Sequence, residues 1–144
     1  MSSESKFELC VRAVIIERGK ILLCKSKRKR YYFFPGGHVD FGEKAKDALR
    51  RELKEELGLT VRSSTFIGAI ENVFREDNRT HHELNLVFAV TVAQRSTESK
   101  EDHLEFEWKP VRELSRTTVL PKALTRSVLQ WLRGRRIFLA SQIG

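Results

Sequence analysis

Apolar residues recur at short, strand-like spacing over Phe7–Ile16 and Ile21–Cys24. Glu17-Arg18-Gly19-Lys20 between them predicts a hairpin connection, with Gly19 at a turn position. Tyr31–Phe34 predicts a short aromatic strand. The period then lengthens. Leu49, Leu53 and Leu57 repeat every fourth residue, Asp40 followed by Glu43 resembles a capping box, and Gly58 suits a helix end; together they predict a helix over Glu43–Leu57. Thr65–Arg75 and His82–Val92 predict two long antiparallel strands joined by the polar turn Glu76–Thr80. Arg95–Asp102 reads as a polar loop, Glu105–Trp108 as a short strand and Pro110–Leu114 as a helical turn. Pro121 opens a last amphipathic helix over Lys122–Arg133, and Gly134 supplies its stop. Strands, helix, strands, helix make an α/β chain with a mixed sheet between helices. Its 144 residues suit one domain, 1–144.

The first helix carries an unusual surface. At about 100° per residue, Lys44, Asp47, Arg50, Arg51 and Lys54 fall opposite the leucine stripe on a solvated side. A third arc holds Glu55, Ala48, Glu52, Ala45 and Glu56, with no basic residue among them. Like charges three or four residues apart cost a helix roughly 0.2–0.5 kcal/mol per pair, so Glu52/Glu55 and Glu52/Glu56 call for something positive. Carboxylates beside a buried stripe, kept open by alanine, suit a hard divalent cation such as Mg²⁺, which takes oxygen ligands and retains waters that a phosphate can replace.

The segment Gly37–Leu59 resembles the Nudix box, G-x5-E-x7-R-E-U-x-E-E-x-G-U with U a bulky aliphatic residue. Gly37, Glu43, Arg51, Glu52, Leu53, Glu55, Glu56, Gly58 and Leu59 fill every specified position in order, preceded by Pro35-Gly36 as is usual in that family. The resemblance implies a Nudix-type α/β/α sandwich and hydrolysis of a nucleoside diphosphate linked to another group, with Mg²⁺ or Mn²⁺ as cofactor. Carried over by position, Glu52, Glu55 and Glu56 supply the metal shell, Glu43 supports it directly or through water, the Gly37 carbonyl is a backbone ligand, and Arg51 orients a neighbouring glutamate. Glu55 is the first choice for the group that takes the water proton. Glu83 is the best acid outside the box, with Glu71 next. His38, His81 and His82 are given no role, the last two being read as surface histidines, and Tyr32 and Phe34 are read as core ahead of base-stacking.

A net charge of +8 should attract polyanions. Lys25-Ser26-Lys27-Arg28-Lys29-Arg30 concentrates it, as a solvated hairpin tip or a phosphate-binding loop. Cys10 and Cys24 lie in apolar runs and read as buried free thiols without a role. No apolar run approaches a membrane span and Met1–Lys6 lacks a signal-peptide core, so the expected location is cytoplasmic. The apolar tail Ile137–Ala140 suits packing on its own domain or on a second subunit of a homodimer.

Relatives specific for ADP-ribose carry a proline shortly after the box and those for diadenosine polyphosphates a tyrosine; Thr60–Val90 contains neither. The expected substrate is therefore a nucleoside triphosphate or damaged nucleotide, ahead of ADP-ribose or a nucleotide sugar and of the 5′ pyrophosphate of RNA. A non-catalytic nucleotide- or RNA-sensing module is the competing class. It would have no need of a full set of box carboxylates, and none is missing.

Overall fold

The computed structural model describes residues 5–93 and 103–143, so the loop expected over Arg95–Asp102 lies outside the described residues. Nine strands form two sheets: β1 (Ser5–Val14), β2 (Ile16–Glu17), β3 (Lys20–Ser26), β4 (Tyr32–Phe33), β5 (Gly36–His38), β6 (Val61–Glu76), β7 (Arg79–Val92), β8 (Leu104–Pro110) and β9 (Phe138–Gln142) among the described residues. The helices are α1 (Ala45–Leu57) and α2 (Lys122–Gly134), with a 3₁₀ turn at Val111–Arg116.

The larger sheet runs β5-β1-β7-β6-β9. β1 lies parallel to β7 and β6 parallel to β9, while β1–β5 and β6–β7 are antiparallel, so the sheet is mixed. In the smaller sheet β3 pairs with β2, β4 and β8, all antiparallel. The alternation along β3 ties the two halves of the core together. Leu22 and Cys24 join Leu49, Leu53 and Leu57 of α1, with Val11, Ala13, Phe88 and Val90 of the large sheet. Ile21 and Leu23 join Leu124 and Val128 of α2, with Val14, Ile70 and Val87. The large sheet thus sits between the helices in an α/β sandwich, as expected. Each fully buried leucine contributes about 1.5–3 kcal/mol through the water it sheds.

Where the elements differ from expectation, backbone chemistry explains it. Arg18-Gly19 and Asp77-Asn78 all take positive φ, giving two-residue turns that let both hairpin ladders run to their tips. The strands of the second hairpin are accordingly longer than Thr65–Arg75 and His82–Val92. Helix α1 starts at Ala45, capped by Lys44 without a side-chain bond. The Asp40/Glu43 pair instead closes a turn just ahead of it: the Glu43 amide donates to the Asp40 carbonyl at 2.9 Å and the Asp40 amide to Glu43 Oε1 at 3.0 Å. Gly58 ends the helix in the left-handed region as expected. Gly134 does not end α2. Arg135 takes the left-handed position, with its guanidinium 4.3 Å from the Trp131 ring centroid. The tail packs on its own chain as β9, and no described helix is long and apolar enough to cross a membrane.

Candidate active site

Two adjacent glycines bring β5 against α1. Gly36 has a φ of 151°, and a Cβ there would strike the Val11 carbonyl oxygen of β1. A Cβ on Gly37 would fall on the Glu52 carboxylate. Only a bare backbone allows β1, β5 and the acidic face of α1 to meet this closely.

Arg51 organises the carboxylates. The helical wheel puts it on the solvated side, yet its long side chain folds back into the acidic group, which corrects that reading. Its Nε donates to Glu43 Oε2 at 2.9 Å and its NH2 to Glu43 Oε1 at 3.0 Å, and NH2 also donates to the His38 carbonyl at 2.9 Å. NH1 reaches Glu52 and Glu55 at the longer distances of 3.4 and 3.5 Å. The fork holds the Glu43 carboxyl down at about 2, helped by the Asp40 amide. Both Glu43 oxygens are thereby engaged within the chain, and its direct contact is with Arg51.

Burial raises the pKa of Glu52, with the Glu55 charge adding to the rise and Arg51 opposing it. The Glu52 side chain is 16% exposed and that of Glu55 is 53% exposed. Glu56 lies close enough to Cys24 for its charge to raise the thiol pKa, after burial itself. Glu52, Glu55 and Glu56 offer oxygen donors alone, and the Glu52 carboxylate lies against the bare Gly37 backbone. Burial disfavours the charged form of Glu52, and carboxylate oxygens are the donors a hard divalent cation takes.

The acids outside the box separate. Glu83 stands opposite Glu8 in the β1–β7 register and opposite Asn72 on β6. Glu71 pairs with Leu84 and Ser141, so it projects from the other face of the sheet. His81 is not a surface histidine. It stacks on Phe74 with ring centroids 4.9 Å apart, and its Nδ1 lies 3.1 Å from Glu8 Oε1. His82 packs edge-on to Phe7. Phe34 is core, as expected, and Tyr32 donates its hydroxyl to Glu107 at 2.9 Å. Within the basic loop Lys29 pairs with Glu76 at 2.7 Å. Both cysteines are buried free thiols.

Sequence reasoning missed Glu8, Arg12 and Asn85, and gave no part to His38. His38 Nε2 lies 2.7 Å from Glu8 Oε2, while Arg12 donates to Asn85 at 3.1 Å and to the Phe34 carbonyl at 3.1 Å. His38 and Arg12 both act electrostatically on Glu52, so this polar face adjoins the box. The available signal was the hidden register: charged residues at alternate positions of a strand whose other positions are apolar.

Fold and site define the class of protein, an α/β domain that presents helix-borne carboxylates beside a glycine strand. The NUDIX domain model matches residues 6–132, and the chain belongs to the Nudix family of pyrophosphohydrolases. It is similar to an ADP-ribose pyrophosphatase of Methanocaldococcus jannaschii, 26% identical over 129 residues that cover 88% of this chain and 75% of the relative. It is also similar to the nucleoside triphosphatase NudI of Escherichia coli, 33% identical over 102 residues covering 62% of this chain and 72% of the relative. Among solved structures, the mutator MutT protein from Bacillus halodurans shares the fold with a TM-score of 0.79 at 19% identity, over 93% of this chain and 88% of that one.

Proposed function

We propose that this enzyme hydrolyses the pyrophosphate linkage of a nucleoside triphosphate or damaged nucleotide, using Mg²⁺ or Mn²⁺ held by Glu52, Glu55, Glu56 and the Gly37 carbonyl. The observation that carries the reading is the Arg51 fork. It engages both oxygens of Glu43 at 2.9 and 3.0 Å and reaches Glu52 and Glu55 only at 3.4 and 3.5 Å, so the guanidinium is committed mainly to Glu43 and only loosely to the other two carboxylates.

When bound, the cation neutralises pyrophosphate oxygens and acidifies a water. The chain's residues do the rest. Arg51 fixes α1 to β5 by bridging Glu43 and the His38 carbonyl, which sets Glu52 against Gly37. Glu55, the more exposed carboxylate, takes a proton from the attacking water as its oxygen bonds to phosphorus and the bridging P–O bond breaks. Glu83 is held on the neighbouring sheet by Asn85 Nδ2 at 3.3 Å and is the second candidate for that proton.

The relative from M. jannaschii is named an ADP-ribose pyrophosphatase and aligns along more of this chain than NudI does, which keeps ADP-ribose as the second substrate class. The deciding experiment is release of nucleoside monophosphate from dNTPs, oxidised dNTPs and ADP-ribose, and of phosphate or pyrophosphate from 5′-triphosphorylated RNA, with Mg²⁺ or Mn²⁺ and an EDTA control. EDTA-sensitive turnover of dNTPs that falls at least about 10²-fold in Glu55→Gln supports the reading. Turnover of ADP-ribose alone replaces the substrate, and a folded protein that binds Mg²⁺ yet turns over nothing overturns catalysis.

A further inference from the structure

Next to the box the sheet carries a second group of ligand-type side chains, chemically unlike the first. Glu8 and Cys10 on β1, His38 on β5 and Glu83 on β7 each offer one ligand atom, and these four atoms all lie within 4.8 Å of one another. Strand register makes the group. Glu8 stands beside Glu83 and Cys10 beside His38, so all four side chains leave the same face of three neighbouring strands. We propose that Glu8, Cys10, His38 and Glu83 bind a borderline transition cation such as Zn²⁺, as a site separate from the oxygen donors of α1.

The donor chemistry selects the ion. One thiol sulfur, one imidazole nitrogen and two carboxylates form a mixed four-ligand set of the kind Zn²⁺ accepts, whereas Mg²⁺ takes oxygen alone. Two carboxylates directly opposite on neighbouring strands repel each other, and a cation between them removes that cost. The surroundings already hold the ligands in place. His81 Nδ1 lies 3.1 Å from Glu8 Oε1, Asn85 Nδ2 donates to Glu83 Oε1 at 3.3 Å, and Arg12 Nε donates to Asn85 Oδ1 at 3.1 Å. Each carboxylate therefore has one oxygen tethered from outside the group, and the second oxygen of Glu8 faces His38 within it, the arrangement by which outer partners orient metal ligands. Glu8 and Cys10 are buried, while the His38 side chain is 61% exposed and gives the ion a way in from solvent.

Binding balances as a proton exchange. The Cys10 S–H bond breaks, its proton leaves to solvent, and the sulfur donates a lone pair to the cation. The Nε2 proton that His38 holds against Glu8 at 2.7 Å passes to its own Nδ1, or to solvent where the ring begins doubly protonated, and the freed Nε2 lone pair donates to the same ion.

Co²⁺ is the test probe, because a thiolate bound to it gives a near-ultraviolet charge-transfer band that oxygen ligands do not. Metal-stripped full-length protein is titrated with Co²⁺ alone, and Zn²⁺ is then added in competition. The proposal expects that band at one Co²⁺ per chain, its loss on adding Zn²⁺ and its persistence in Glu56→Gln, which alters only the helix carboxylates. His38→Ala, at the surface, should weaken the band's apparent affinity at least about tenfold, and Cys10→Ser should abolish it. If Cys10→Ser does not fold, His38→Ala and Glu83→Gln decide alone. Co²⁺ binding without the band, a band lost in Glu56→Gln, or unchanged affinity in both His38→Ala and Glu83→Gln would each overturn the proposal, leaving a hydrogen-bonded carboxylate–histidine network.

Discussion

Arg51 grips Glu43 with a two-pronged fork, Nε to Oε2 at 2.9 Å and NH2 to Oε1 at 3.0 Å, across the turn that leads into α1. The same guanidinium donates to the His38 carbonyl, so one side chain joins the turn, the helix and strand β5. A lysine keeps the charge but has neither the planar fork nor enough donors in that geometry. Arg51→Lys should therefore leave the fold intact and lower kcat by about 10²-fold, the scale of a displaced catalytic group, with KM little changed. Steady-state kinetics beside far-ultraviolet circular dichroism checks it. An unchanged kcat would show that the bridge does not position the carboxylates.

The Arg51 fork also predicts a pH dependence. The folded-state pKa of Glu43, about 2, lies below its unfolded value, so the folded state binds this proton less readily. The stabilisation is complete above the unfolded value of about 4.3 and is lost as pH falls towards 2. Thermal midpoints of the wild type and Glu43→Gln should differ at neutral pH, with the wild type higher, and should converge between about pH 4.3 and 2. A gap that stayed constant through that window would mean the fork contributes nothing that titrates.

Gly36 and Gly37 should separate folding from catalysis. A methyl group at Gly36 meets the rigid Val11 carbonyl and sits at a φ that side chains rarely adopt, so Gly36→Ala should cost more than about 1–3 kcal/mol and yield poorly folded protein. At Gly37 the obstacle is the flexible end of Glu52, which can swing away. Gly37→Ala should melt close to wild type yet lose most activity, because the displaced group is a proposed metal ligand. Melting curves and Mg²⁺-dependent turnover distinguish the two, and equal behaviour of both variants would sink the argument.

How much of this was legible depends on sequence distance. The leucine stripe of α1 and its Gly58 stop are local patterns and appear where the spacing puts them, while Ala48, read as part of the acidic arc, is buried with the leucines. For Arg51 the helical wheel pointed to solvent and the family resemblance to a neighbouring glutamate; a wheel fixes only where a side chain leaves the backbone, while a long cationic chain goes where its partners are. The end of α2 was missed by one residue because Arg135, held by its contact with Trp131, takes a position where glycine is the usual choice. The polar face around Glu8 was only half legible: its alternation along β1 is a local signal, its partners are not. Its members meet through parallel pairing of β1 with β7, which joins Arg12 to Asn85 across 73 positions, and no local period encodes that register.

Gly68 offers a test of how the C-terminal strand is held. Gly68 and Phe138 are register partners where β6 and β9 run parallel, just after a register shift in the β6–β7 ladder between Phe66 and Gly68. The Phe138 ring lies against the glycine: a Cβ at Gly68 would stand 2.5 Å from two of its carbons. Here the neighbour is a ring packed against the α2 side of the core, so it can yield only by leaving its place. Overpacking of this kind costs about 1–3 kcal/mol, and in Gly68→Ala the cost should fall on β9, an edge strand with Leu139 already exposed. Hydrogen exchange should accelerate at the β9 amides while those of α1 keep their protection. Adding Phe138→Ala should remove the clash, so that Gly68→Ala costs less in that background than in the wild type. Additive losses would show that the ring does not meet the new methyl group, and that β9 is held by its backbone pairing alone.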